Sequence, residues 1–435
     1  MSPIKRARVR IRRYGRRTFA SLGVRNYRLY FTGQAISLTG SWMQIVAQSW
    51  LVLHLTGSGT ALGTVTALQF LPMLVAAPYG GVIAGRFSKR KLLLATQATS
   101  GMLALILGVL VTTGSIQLWM VYVLALALGL VNAVDNPARQ TFVHEMVGPD
   151  QLRNAVSLNS IEVNLSRVVG PALAGLVIAT LGMGPCFLIN AASFVAVLAC
   201  LWMISPGDLL LTEPLERRRG QLLEGFRYAL RTPTVRTVLL MMFLIGMFTY
   251  EFMVTLPLMA KYVFHAGAGV NAMLTAGLGV GAVIGGLVTN GRGKPDVANL
   301  SFAALGFGMG TSLVALAPTL PLAIAGMMFT GVFSLRFTAL CNTILQLEST
   351  DTMRTRVMAL WAVAFMGSTF FGGPIIGWIG EHAGARWALG LGGLVGVMTA
   401  GAGLLAVRVA TRRLARTVMT DPSALASPDT ERKSA

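Results

Sequence analysis

Charge is what this 435-residue chain has least of: 12% of its residues are Asp, Glu, Lys or Arg, against about 25% in a soluble globular domain. That deficit excludes an ordinary cytosolic enzyme. Acidic residues are scarcer still, 16 against 36 basic ones, for a net charge of +20. Taken alone, such a balance points to nucleic acid. Cysteine is nearly lacking too. Cys186 and Cys200 fall on one predicted helix about 21 Å apart and Cys341 stands alone, which excludes a disulfide framework or a cysteine metal site and leaves all three as small apolar fillers. No GxxxxGK run followed by Ser or Thr occurs, so there is no phosphate cradle for ATP, and neither cofactor nor metal is expected. Of the four histidines, His54, His265 and His382 fall at the ends of apolar runs and His144 in a connection, which disfavours a histidine proton relay. No small-residue cleavage site follows a short apolar core at the basic amino terminus, so the first apolar run, which carries Gln34 and Gln44, is expected to stay as an anchor.

What is abundant is apolar sequence, 54% of the chain. A bilayer core of about 30 Å takes roughly 20 apolar residues per helix. Breaks at polar, Gly and Pro residues predict spans at 29–55, 60–85, 92–113, 116–136, 154–180 and 184–204, then at 236–260, 268–290, 297–317, 319–342, 356–380 and 386–408. The fold class is therefore an all-α integral membrane protein of twelve transmembrane helices. Its expected organisation is a basic arm (1–28), a six-helix half (29–204), a linker (205–235), a second six-helix half (236–408) and a disordered tail (409–435). In the linker, Leu222, Leu223, Phe226 and Leu230 repeat at helical spacing beside Arg227 and Arg231, predicting a short helix in the membrane interface.

Assigning the 36 basic residues to these connections puts 32 on the face that holds both termini, Lys261 and Arg386 on the other, and Arg167 and Arg336 inside spans. By the positive-inside rule both termini are expected in the cytoplasm. The +20 charge is then an orientation signal held near anionic lipid head groups, and no nucleic-acid partner is expected.

The halves repeat each other. Gly80 to Lys91, GGVIAGRFSKRK, follows span 2, and Gly285 to Asp296, GGLVTNGRGKPD, follows span 8. Arg153 and Gly170-Pro171 of span 5 recur as Arg356 and Gly373-Pro374 of span 11. On these residues, on NYRLYFTGQAISLTGSWMQIVAQSWLVL from Asn26, and on the dense stretch from Asp135 to Phe194, the chain resembles the major facilitator superfamily exporters, in the branch of the enterobactin exporters and macrolide efflux proteins. The resemblance implies two six-helix repeats, transport by rocking of the halves, and a bacterial inner-membrane location. It carries little about the substrate.

The loop after span 2 is similar to the superfamily signature at Gly81, Arg86, Lys89 and Arg90, with Gly85 where the signature has Asp and Ser88 where it has its later Gly. In the family these residues latch the cytoplasmic ends of the halves. Without the Asp, the turn serves either as that latch or only as a basic topology signal. Ser166 to Gly175, SRVVGPALAG, resembles the antiporter motif, so Gly170, Pro171 and Gly175 either seal against proton leak or simply pack helices closely.

Polar residues at bilayer depth mark paths or sites. Gln34, Ser37, Ser41, Gln44 and Gln48 step along one face of span 1, a face suited to a wet cavity wall or to interhelical hydrogen bonding. Span 5 carries Ser157, Ser160, Asn164 and Arg167 on another; Glu162 lies about 140° away from Arg167, too far round for an ion pair within the helix. Arg167 either lines the path or holds a neighbouring helix, and Arg336 in span 10 either lines it or reaches the surface. Glu251, deep in span 7 with Thr255 and Pro257 beyond it, is the leading candidate for a proton carrier, Glu162 the second; each alternatively only stabilises the bundle.

These features predict a monomeric secondary transporter that couples protons to efflux of an amphipathic small molecule, a drug or a siderophore. Uptake symport of a metabolite is the alternative within transport. A non-transporting receptor or scaffold is the alternative outside it, and would be marked by a large soluble domain that this sequence lacks.

Overall fold

The computed structural model describes residues 19–210, 221–289 and 294–420, with the side chains of 76–86, 221–223, 288–289, 351, 410 and 413–420 outside the description. The described residues are helical almost throughout, as a chain in lipid must be when every backbone polar group has to be satisfied internally. Span 1 is Arg25–Thr56, span 2 Gly59–Arg86, span 3 Lys89–Thr112 and span 6 Met183–Trp202. Span 8 is Ala268–Thr289, span 9 Val297–Leu316, span 10 Leu320–Glu348 and span 12 Ala385–Thr420. Span 11 runs as Asp351–Ala362, a wide turn at Val363–Gly367, and Ser368–His382. The linker carries the short helix Gln221–Arg231.

Spans 4, 5, 7 and 12 differ from the sequence reading; span 12 continues as helix to Thr420, where a disordered tail was expected from 409. Spans 4 and 5 share one element, Leu118–Leu181, so 137–153 is helix where a connection was expected. Asp, Asn, Pro and Arg in DNPARQ look like a loop. Here their polarity is absorbed instead: Arg139 pairs with Asp135 one turn earlier, and Thr96 of span 3 donates to the same carboxylate at 2.6 Å. The separation comes at Gly148, where φ 68° and ψ 178° form a conformation open essentially to glycine alone, followed by Pro149 at the start of the next segment. Arg139 thus leaves the count of loop charges for the interior.

Span 7 is broken as well. Its first helix, Pro233–Phe248, stops before Thr249, and Phe252–Leu258 restarts it with Glu251 at the capping position. A break at this depth frees carbonyls that need close partners. Glycines on spans 11 and 12 let them approach: a Cβ at Gly372 would lie 2.0 Å from the Met247 oxygen, and one at Gly392 2.5 Å from that of Phe248. The Thr249 hydroxyl donates to the Gly392 carbonyl at 2.7 Å.

The halves meet where span 2 packs along span 11 and span 5 along span 8. Lipid tails are as apolar as leucine, so such contacts depend on small residues and close backbones. At the end opposite the basic loops, Gly63 is so near span 11 that a Cβ there would sit 2.1 Å from the Gly373 oxygen. Polar contacts close the same end over the turn between spans 1 and 2. Lys261 donates to the Leu53 carbonyl at 2.7 Å, Tyr262 to that of Gly57, and Glu381 accepts from the Ser58 hydroxyl at 2.6 Å and the Thr60 amide at 2.9 Å. Each charge suits its helix end, the ammonium at the carbonyl terminus of span 1 and the carboxylate at the amide terminus of span 2.

Candidate functional site: a cavity between the halves

A cavity of about 290 Å³ lies between the halves, walled by spans 1, 2, 5, 7, 8 and 11. The break in span 7 supplies its floor. Tyr250 is locked there by donating to the Ser334 carbonyl at 2.9 Å, while its ring meets Phe307 and Phe365 edge-on at 4.8 and 5.2 Å. Glu251 is 2% exposed, and neither carboxyl oxygen has a hydrogen-bond partner. It sits against span 11, where a Cβ at Gly372 would come within 2.8 Å of its Oε1. Across the cavity, Arg167 lays its guanidinium over the Trp42 ring at 4.9 Å, with Nε unpaired. The site therefore holds one cation stacked on an aromatic face and one buried carboxyl, not bonded to each other, among Phe70, Tyr250, Phe252 and Phe365.

Of the residues singled out from sequence, the structure brings Arg167 and Glu251 to this cavity. The span 1 stripe lies elsewhere. Gln44 accepts from Asn190 of span 6 at 2.7 Å, Gln34 accepts from Arg139 at 2.5 Å, and the Ser41 hydroxyl bonds back to the Ser37 carbonyl; Gln48 is buried too. The cavity side of span 1 is Trp42, Ile45, Val46 and Ser49, displaced by one residue or about 100°. Asn164 donates to its own helix at Ser160, and Arg336 is half-buried on span 10. Glu162 is buried on span 5 without a hydrogen bond, away from the cavity wall.

In the signature loop, the side chains of Gly81 and Arg86 lie outside the described residues. Lys89 forms an ion pair with buried Glu145 at 2.9 Å, and Arg90 donates to the carbonyls of Leu201 and Trp202 at 2.9 and 2.8 Å. Both stay within the first half, tying the start of span 3 to the ends of spans 4 and 6. Lys89→Ala would strand the Glu145 carboxylate, and such a loss costs about 3 kcal/mol. It is expected to lower the thermal unfolding midpoint in detergent, with Lys89→Arg close to wild type; equal midpoints for all three proteins would dismiss the pair as a stabilising element. In the antiporter-like motif, Gly170 admits span 1 so closely that a Cβ would lie 2.5 Å from that of Trp42, Pro171 is buried beside it, and Gly175 faces Ala272 of span 8.

Sequence reasoning missed Trp42, Tyr250 and the Asp135–Arg139 pair. The pair had a signal, opposite charges four residues apart continuing an apolar helical run. For Trp42 and Tyr250, periodicity offered none.

Residues 16–429 match the family described as transmembrane secretion effector. The chain is 27% identical over 398 residues to the enterobactin exporter EntS of Shigella boydii, covering 90% of this chain and 94% of that protein. It is 30% identical over 174 residues to the staphyloferrin A transporter of Staphylococcus aureus, 40% of this chain and 44% of that one. In fold it is similar to a bacterial homolog of the human lysosomal transporter Spinster, in an inward-facing and unoccupied conformation (TM-score 0.70, 14% identity, 88% of this chain and 96% of that one). It is likewise similar to the nucleoside transporter NupG (TM-score 0.69, 13% identity, 89% and 99%).

Proposed function

Because the chain belongs to the transmembrane secretion effectors, major facilitator exporters and not enzymes, and is a multi-pass membrane transporter, we propose that it expels an amphipathic small molecule in exchange for protons. The observation that carries this reading is the cavity lined by both Arg167 of the first half and Glu251 of the second. The relatives named for enterobactin and staphyloferrin A favour a siderophore over a drug.

The aromatic walls take the apolar body of such a molecule, and Arg167, presented on Trp42, takes its anionic or polar edge. Glu251 supplies coupling. In a dry cavity its charged form bears the full desolvation cost and its neutral form does not, so it holds a proton when the cavity is sealed and sheds it when water enters. Rocking of the halves changes which face the cavity meets. The basic face lies in the cytoplasm of a bacterial inner membrane, near anionic lipid head groups, and a single chain suffices.

Everted membrane vesicles test the direction. Export predicts that an imposed pH gradient, acidic inside, accumulates an anionic siderophore within them; accumulation only in right-side-out vesicles would make the chain an uptake symporter, and no flux in either would leave a receptor. Arg167→Ala is expected to weaken binding of the anionic probe about tenfold to a hundredfold, read from quenching of tryptophan fluorescence. Unchanged affinity would remove Arg167 from recognition.

A further inference from the structure

A second polar cluster lies between spans 1, 4 and 5, nearer the basic face than the cavity. Asp135 is saturated there: it accepts from Thr96 at 2.6 Å, from Gln97 at 2.9 Å, and from Arg139 through Nε at 3.1 Å and Nη2. Arg139 turns Nη1 to the Gln34 amide oxygen. Facing this pair is Glu162, 3% exposed, with both carboxyl oxygens unbonded. Two donors nearby are equally unbonded, Gln34 Nε2 and the Tyr30 hydroxyl. More than nine-tenths of buried polar groups find partners. Here the two oxygens of Glu162 and two donors stand unpaired in one cluster, around one cation and two carboxyls.

We propose that Glu162 is a second protonation site of the transporter, separate from Glu251, and that Arg139 is its positioning partner, shared between Asp135 and Glu162. In this conformation Arg139 is committed to Asp135, and Glu162 carries its proton. On release the O–H bond breaks, the proton passes to water on the side where 22% of the Arg139 side chain is accessible, and the electron pair stays on the carboxylate. The free N–H groups of Arg139, Gln34 Nε2 and the Tyr30 hydroxyl then turn to it. Nothing is oxidised or reduced, and the cluster gains one negative charge.

The groups acting on Glu162 are Arg139, Tyr27 and Tyr30, with Asp135 behind Arg139. Span 8, packed along span 5, carries no acid or base; span 6 offers only Cys186 and Cys200, and the nearest lysine of span 3, Lys89, is held by Glu145. Glu162 is thus governed by one cation, and movement of span 4 against span 5 retunes it.

This inference rests on the proton-driven reading, and a ligand-free measurement separates the two. The full chain in lipid nanodiscs is titrated by infrared difference spectroscopy in the protonated-carboxyl C=O region. Two titrating bands are expected. Glu162→Gln should delete one and keep the other, Asp135→Asn should keep both, and Arg139→Gln should move the midpoint of the Glu162 band to higher pH by about one unit, a tenfold change in proton affinity. Arg139→Lys should restore it. A Glu162→Gln spectrum identical to wild type overturns the proposal, as does a midpoint indifferent to Arg139→Gln, which decides the matter alone if Glu162→Gln does not fold. A spectrum in which Glu251→Gln deletes nothing, while Glu162→Gln deletes a band, ends the assignment to Glu251 and leaves this one standing.

Discussion

Glu251→Gln is expected to abolish uphill transport while sparing downhill exchange. A proton crossing 100 mV carries about 2.3 kcal/mol, enough to sustain a solute gradient of about 40-fold. Without a protonatable group in the cavity, that gradient should collapse to unity in everted vesicles. Exchange of labelled for unlabelled substrate should continue, because glutamine matches glutamate in size and the carboxyl makes no hydrogen bond that the amide would lose. Glu251→Asp, shorter by one methylene, should retain coupling at a lower rate. Gradient-driven accumulation by Glu251→Gln at the wild-type level would sink the assignment. A variant that binds but neither accumulates nor exchanges would instead assign Glu251 to the conformational change itself.

The second large effect is expected at Gly63. A side chain there meets the Gly373 oxygen at 2.1 Å and its carbonyl carbon at 2.5 Å, both backbone atoms with no rotamer to yield. Gly63→Leu must therefore part spans 2 and 11 at the end opposite the basic loops. Overpacking of this kind costs about 1–3 kcal/mol, which shifts a two-state equilibrium by about fivefold to 150-fold toward the conformer open at that end. With the three native cysteines replaced by alanine, a reporter cysteine at Ser49, on the cavity wall, should react with a membrane-impermeant maleimide at least about tenfold faster from that side. Transport should stop while the unfolding midpoint stays near wild type. Unchanged labelling with normal transport would show that this contact does not control closure.

Much of this architecture is legible in the sequence, for reasons specific to lipid. Apolar runs must be helices, and the basic residues mark one face, so the all-helical membrane fold, and the expectation of twelve spans in two repeats, follow from hydropathy, charge and the paired Gly-Pro steps. Arg167 and Glu251 stand out because charge at bilayer depth is costly. Legibility ends where neighbours decide. The span 1 stripe defines a face by its 3.6-residue period, but period does not say which helix covers it; spans 4 and 6 do. DNPARQ has the composition of a loop, and its polarity is absorbed in a helix by partners far away in sequence, Thr96 and Gln97 about forty residues off and Gln34 about a hundred. The break at Glu251 depends on glycines more than a hundred residues later in the chain.

The closure over the turn between spans 1 and 2 has a consequence for how this protein can vary. The second half supplies the distinctive side chains, Lys261, Tyr262 and Glu381, whereas the first half answers with the main-chain oxygens of Leu53 and Gly57, the Thr60 amide and a single serine hydroxyl. A lock whose keyhole is backbone is blind to the side chains around it. Apart from Gly57, left-handed at φ 67°, and Gly59, where a Cβ would lie 2.5 Å from the Gly377 oxygen, the turn can drift in sequence without losing its seal, provided its length and path persist, and a first half exchanged with that of a relative that keeps these glycines should still shut. Insertion or deletion of one residue between Leu53 and Thr60 should open it.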